Sequence, residues 1–248
     1  MVLLFLTVQL LAAGVLAGAG VEVALRGDIG LGEVAGLATV QSIGIAAVAV
    51  LVLLGATNWR RLWGTAPVGP GFWALSPVGL LVIGPTFGAA LASDDPVLAP
   101  TLTPALAAAF IGLAMLIGVN EELWFRGLVL GELDSAGRRG LTVIGAALLF
   151  GLPHLGDSAA HVLNTVAVTL AVGVPFTVVR LRRGSLVPLV GWHALVDIWA
   201  FLHTASVTPQ GSPDTSDVVA TLVLPTLVAA GYVWWYRRTS DVAPTVSP

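Results

Sequence analysis

The sequence predicts an all-α, polytopic membrane protein of eight transmembrane helices, a single integral membrane domain over residues 1–248. Three observations carry that reading. Of the 248 residues, 56% are hydrophobic and 10% charged, with a mean hydropathy of +0.93, whereas soluble domains carry about 25% charged residues. The apolar residues fall in runs of bilayer-spanning length, broken by short loops that hold most of the charge. The arginines gather in alternate loops. Cysteine is absent, which removes disulfides, thiolate metal sites and cysteine nucleophiles, and all eleven cationic side chains are arginine. With no basic cluster on a soluble domain and no nucleic-acid motif, nucleic acid is not an expected partner; the lipid bilayer is.

Residues 1–21 form an uncharged apolar run without the cationic leader and small-residue cleavage site of a signal peptide, and read as a retained first helix. After Arg26, Asp28 and Glu33, a second span covers 34–54 and leads to Asn58-Trp59-Arg60-Arg61, where Trp59 and Trp63 suit a membrane interface. A Pro/Gly connector at 64–71 precedes the third span, 72–92, in which Pro77 and Pro85 predict kinks. The fourth helix, 104–133, overshoots the hydrocarbon and carries two adjacent glutamates. Arg138 and Arg139 follow, then a shorter apolar stretch, 141–155, that ends in Phe150-Gly151-Leu152-Pro153-His154. The sixth span, 161–179, closes on Arg180, Arg182 and Arg183; the seventh, 186–203, carries His193 and Asp197. The last, 218–236, ends among Trp234, Trp235, Arg237 and Arg238.

If the spans alternate, the loops after the second, fourth, sixth and eighth share one side with both termini and hold nine arginines, against Arg26 alone opposite. The positive-inside rule makes that side, and both termini, cytoplasmic in a multi-pass protein of the cell membrane. Asp94, Asp95, Asp157, Asp214 and Asp217 then face the other way.

Inside the spans the ionisable residues are few, and each needs a reason. A charged side chain at mid-bilayer costs about 2.5–3.5 kcal/mol on insertion scales, so Glu121, Glu122 and Arg126 imply pairing, a wet cavity, or both. Glu122 and Arg126, at i and i+4, share one helical face and can neutralise each other. Glu121 is rotated by about 100° and has no such local partner, which makes it the candidate for chemistry. The same four-residue spacing relates Phe150 to His154 and His193 to Asp197. Measured from the cytoplasmic helix ends, Glu121, His154 and His193 lie roughly 16, 20 and 12 Å deep, so a shared site is allowed. A carboxylate and an imidazole around one water can deprotonate it, as amide hydrolysis requires; Glu121 with His154 supplies that pair. His193 is then a candidate donor to the oxyanion, and Asp197 either orients the ring or, protonated, donates itself.

In this order on separate helices, Glu121-Glu122-x-x-x-Arg126, Phe150-x-x-x-His154 and His193-x-x-x-Asp197 resemble the three signature motifs of the CPBP (ABI) intramembrane proteases. That family includes the type II CAAX prenyl endopeptidases and the lysostaphin-resistance-protein-A-like proteins. The motif-bearing core is about 104–203. The resemblance implies an endopeptidase with an intramembrane active-site cavity, acting on a peptide or prenylated-protein substrate. In it Glu121 and His154 activate water, His193 and Asp197 bind the oxyanion, and Glu122 and Arg126 shape the site.

No cofactor is expected. Zinc is the second reading: Glu121, Glu122, His154 and His193 can supply nitrogen and oxygen ligands, but no His-Glu-x-x-His run is present and Glu122 is already explained by Arg126. Two other functions use the same residues. A proton-coupled transporter would employ them as a relay, although no internal repeat is evident, and a non-catalytic immunity or scaffold protein would keep only the fold. His161 and His203 lie near span ends and are left outside the site. Trp124 and Trp192 flank motif residues and are candidates to line a substrate cavity.

Overall fold

The computed structural model describes residues 2–18, 30–92, 102–135, 139–154, 159–204 and 215–240, and these are helical with no strand among the described residues. The chain runs through α1 (Val2–Gly18), α2 (Leu31–Leu53), the short α3 (Trp59–Trp63) and α4 (Val68–Ala74), then α5 (Ser76–Ala92). Next, α6 (Pro104–Glu122) passes without a break through a π-helical segment, Leu123–Val129, into α7 (Leu130–Ser135). After α8 (Arg139–Gly151) and a 3-10 turn, Leu152–His154, α9 (Ala159–Val168) passes through a second π segment, Thr169–Gly173, into α10 (Val174–Arg183). The last two helices are α11 (Val187–Thr204) and α12 (Thr215–Ser240).

Helix starts follow the capping residues. The Thr103 hydroxyl accepts from the Leu106 N–H (3.2 Å) ahead of Pro104, and the Asn58 side chain accepts from the Arg61 N–H (2.9 Å). The end of α10 is set by Gly184, whose φ of +69° suits glycine best.

Three helical runs, Leu31–Leu53, Pro104–Asp134 and Thr165–Arg183, are long and apolar enough to cross a membrane. A fourth is gained if the pair Trp59–Ala74 and Ser76–Gly84, bent by 45°, counts as one span. The bend falls at Leu75, one residue before α5 and two before Pro77, within the span where the sequence predicts a kink. The described apolar parts of α1, α8 and α11 are shorter, at 10–17 residues. At 1.5 Å per residue they reach roughly 15–25 Å, less than a hydrocarbon core of about 30 Å, so the expected eight is not reached by length. Large apolar side chains nevertheless point outward on most of these helices, among them Leu10, Leu80, Leu148 and Leu227. That surface suits lipid, and the chain is an integral membrane protein.

The core is built where α6 and its π segment meet the rest. α6 packs along α2 on one side and α11 on another, and Trp124, Phe125, Phe150, Phe176, Leu186 and Leu189 close over the junction. Trp124 is buried and its indole N–H donates to the Gly44 carbonyl (3.2 Å); Trp192 stacks on Phe72 and donates to the Phe72 carbonyl (2.8 Å). Both tryptophans thus serve helix packing.

One end of the bundle collects arginine. The Arg180 guanidinium donates to the carbonyls of Arg61 (2.9 Å), Leu62 (2.6 Å), Trp63 (3.3 Å), Arg126 (3.4 Å) and Gly184. Gly64 must be glycine here, because a Cβ would lie 1.6 Å from the Gly184 carbonyl oxygen. Arg182 and Arg183 lie over Trp235, and Arg61 lies against Gly131. Through these contacts the ends of α3, α7, α10 and α12 lie at one end of the bundle. Arg26, Arg138, the acidic loop residues Asp94, Asp95, Asp157 and Asp214, and the side chains of Arg139, Asp217, His161 and His203 lie outside the described residues.

The α2–α6 contact allows a packing test. Asn120 is fully buried and donates to the Gln41 side chain at 2.5 Å, and a Cβ on Gly44 would fall 2.3 Å from the Asn120 side-chain oxygen. Gly44→Ala should therefore cost about 1–3 kcal/mol by overpacking. The thermal midpoint of purified protein should fall by several degrees; an unchanged midpoint would mean that the helices are not this close.

Candidate active site

Glu121 and Glu122 end α6 just before the wide turns of its π segment, where Leu130 N–H reaches back to the Phe125 carbonyl. Such segments are frequent at functional sites, because the extra residue re-aims the side chains that follow. Arg126 lies within this one and is buried. Its Nη1 donates to Glu122 Oε1 at 2.8 Å, and neither side chain is exposed. The guanidinium lies 4.0 Å from the Phe150 ring centroid and 5.5 Å from that of Phe176. Its Nη2 also reaches the Gly173 carbonyl (3.5 Å) in the second π segment. The ion pair read from the i, i+4 spacing thus exists, with two aromatic faces and a carbonyl that the spacing does not announce.

α11 brings His193 to the same carboxylate. His193 Nδ1 is 2.8 Å from Glu122 Oε1. A carboxylate paired with arginine only accepts, so Nδ1 carries hydrogen and the chain Arg126–Glu122–His193 fixes the ring's tautomer and tilt. The other nitrogen, Nε2, is then directed between Glu121 Oε2 at 3.8 Å and Asp197 Oδ2 at 3.7 Å. Those separations are too long for direct hydrogen bonds. Both carboxylate oxygens are buried and have no hydrogen-bond partner in the protein. Burial grades across the cluster: Glu122 and Arg126 are at 0%, His193 at 6%, while Glu121 at 16% and Asp197 at 21% form its open side. Unpartnered acceptors around one imidazole nitrogen, at the partly open edge of an otherwise closed ion-pair network, are an arrangement that a water or a polar substrate group would complete.

His154 stands one step away. Pro153 lies in the 3-10 turn that ends α8, and Thr165 of α9 pins that turn by donating to the His154 carbonyl (2.6 Å). His154 Nδ1 faces the Phe150 carbonyl at 3.1 Å, which leaves Nε2 as the acceptor in the neutral ring. The Phe150 ring is 5.2 Å from the His154 ring and 5.9 Å from the His193 ring, so both histidines pack against one aromatic face or edge. His154 and Glu121 are not within hydrogen-bonding or ion-pairing distance of each other among the described contacts.

Five of the six sequence candidates, Glu121, Glu122, Arg126, His193 and Asp197, thus form one cluster, and His154 joins it through Phe150. Phe176, Gly173 and Thr165 are supporting residues that sequence reasoning missed; none carries a charge or a motif spacing that would have marked it. The predicted cavity is not lined out: neither of the two described cavities touches Glu121, His154, His193 or Asp197. Among the described residues no group of three His, Asp or Glu side chains is placed to hold a metal ion, and His193 Nδ1 and Glu122 are engaged with each other and with Arg126.

Residues 103–199 match the family model described as Rce1-like, type II CAAX prenyl endopeptidase. The segment is thus similar to the Rce1-like domain, over a little under two-fifths of the chain. All six candidate residues fall inside it, while α1 to α5 and α12 lie outside the matched range. No curated protein and no solved structure matches the chain. The matched segment therefore includes the whole site, with α6 and most of α11, which bring its charged groups together.

Proposed function

We propose that this protein is an intramembrane endopeptidase that hydrolyses a peptide bond in a membrane-embedded, prenylated substrate. The observation that carries the reading is the pair of unpartnered carboxylate oxygens, on Glu121 and Asp197, 3.8 and 3.7 Å from His193 Nε2 inside an Rce1-like domain. Glu121 takes a proton from water as it attacks the scissile carbonyl carbon, and His154 Nε2 helps to hold that water. The carbonyl oxygen becomes an oxyanion as the tetrahedral centre forms. His193, carrying hydrogen on both nitrogens, donates Nε2–H to it, and Asp197 faces the same nitrogen. Collapse of the intermediate breaks the C–N bond, and the proton held by Glu121 passes to the leaving amine. Glu122 and Arg126 are positioning residues: they act through the His193 ring.

Eight membrane crossings, with the arginine-rich end and both termini cytoplasmic, fit this reading and would open the site toward that face. Nothing in the fold favours a transporter. Purified protein in proteoliposomes should cleave a prenylated peptide ending in a CAAX sequence faster than its unprenylated form. Chelators should leave that cleavage unchanged. Failure to cleave any such peptide would remove the activity, and loss on chelation with recovery on adding zinc would reinstate a metal.

A further inference from the structure

Away from the candidate site, an open groove of about 500 Å³ runs between the bent α4–α5 pair and α12, below the end of α10. Its walls are apolar: Ala74 and Pro77 on one side, Val228 and Trp235 on the other. The Tyr232 hydroxyl donates to the Ala74 carbonyl and holds the two walls at a fixed distance. Gly231 forms an exposed floor, where an added Cβ would meet nothing within 4 Å. Arg183 is the charged residue of the lining, exposed at the arginine-rich end, with its guanidinium 5.5 Å from the Trp235 ring centroid. The neighbouring Arg182 lies 5.7 Å from the same ring. No carboxylate is among the described lining residues.

This combination specifies a ligand. An apolar trough with an aromatic residue at its end suits a hydrocarbon chain at the depth where tryptophan sits in a membrane, and a guanidinium over its mouth suits a phosphate. A zwitterionic headgroup would bring its own ammonium up to Arg182 and Arg183, whereas a phosphatidylglycerol-type headgroup brings no cation. Small residues on the floor leave room for the chain without moving protein atoms. We propose that this groove binds one anionic glycerophospholipid, its acyl chain over Gly231 and its phosphate at Arg183.

The test is native mass spectrometry of the full-length protein in detergent, titrated in parallel with phosphatidylglycerol and phosphatidylcholine of matched chains. Wild type should retain phosphatidylglycerol at least about fivefold better, the contribution of one arginine near an anionic surface. Arg183→Gln should bring the two lipids to near equality. Gly231→Phe should lower retention of both at this site while leaving the thermal midpoint unchanged, because the new ring enters open space. Soluble glycerol phosphate should not compete. Equal retention of the two lipids by wild type overturns the proposal without reference to any variant. So does a preference that survives both substitutions, competition by glycerol phosphate or by a prenylated peptide, or a dimer of this chain that Gly231→Phe abolishes.

Discussion

Glu121→Gln should stop the proposed peptide hydrolysis, lowering single-turnover cleavage by about 10²–10⁴-fold, the contribution of a positioned general base. The substitution keeps the shape of the side chain and removes only its capacity to take a proton. It takes no hydrogen bond from Glu121 Oε2, which stands 3.8 Å from His193 Nε2. Stability should therefore change little beside the loss of cleavage, since only a long, partly open ion pair is removed. The thermal midpoint, measured on the same preparation, separates the two effects. A Gln variant that folds and cleaves at the wild-type rate would remove Glu121 from the chemistry.

Arg126→Met should cost about 3–5 kcal/mol in stability, because it strands the fully buried Glu122 carboxylate. It also removes the cation from the Phe150 ring, whose centroid lies 4.0 Å from the guanidinium. Replacing both partners, as Glu122→Leu with Arg126→Met, should recover most of that loss, since a buried ion pair exchanged for apolar groups of similar volume is often neutral. Cleavage should not recover. His193 Nδ1 would have lost its acceptor at 2.8 Å, and with it the constraint that turns Nε2 toward Glu121 and Asp197. A chemical denaturation series on the three proteins checks the stability, and their cleavage rates check the positioning role. A double variant with full activity would show that the pair serves packing alone.

The parts of this molecule that were legible in its sequence are those set by local spacing. Glu122 and Arg126 meet because residues four apart on a helix must share a face, and the kink beside Pro77 follows from what proline does to the preceding turn. What could not be read depends on how helices cross. No spacing rule says that α11 would carry His193 Nδ1 to Glu122 rather than leave the ring to Asp197 alone, or that His154 would reach the cluster through Phe150. The π segments were equally hidden, since the same residues suit α and π turns and the extra residue is decided by packing. Arg180 reads as a cation beside a loop and turns out to clasp five backbone carbonyls. The count of eight spans rests on hydropathy, which registers apolar length and is blind to the 45° bend at Leu75.

If the proposed bond breaking takes place between Glu121 and His193, an experimental structure with a peptide analogue whose scissile carbonyl is replaced by a hydroxyl-bearing tetrahedral centre should show it. Its hydroxyl oxygens should lie within about 2.6–3.2 Å of Glu121 Oε2 and of His193 Nε2. An analogue bound with its tetrahedral centre out of reach of both side chains would contradict it.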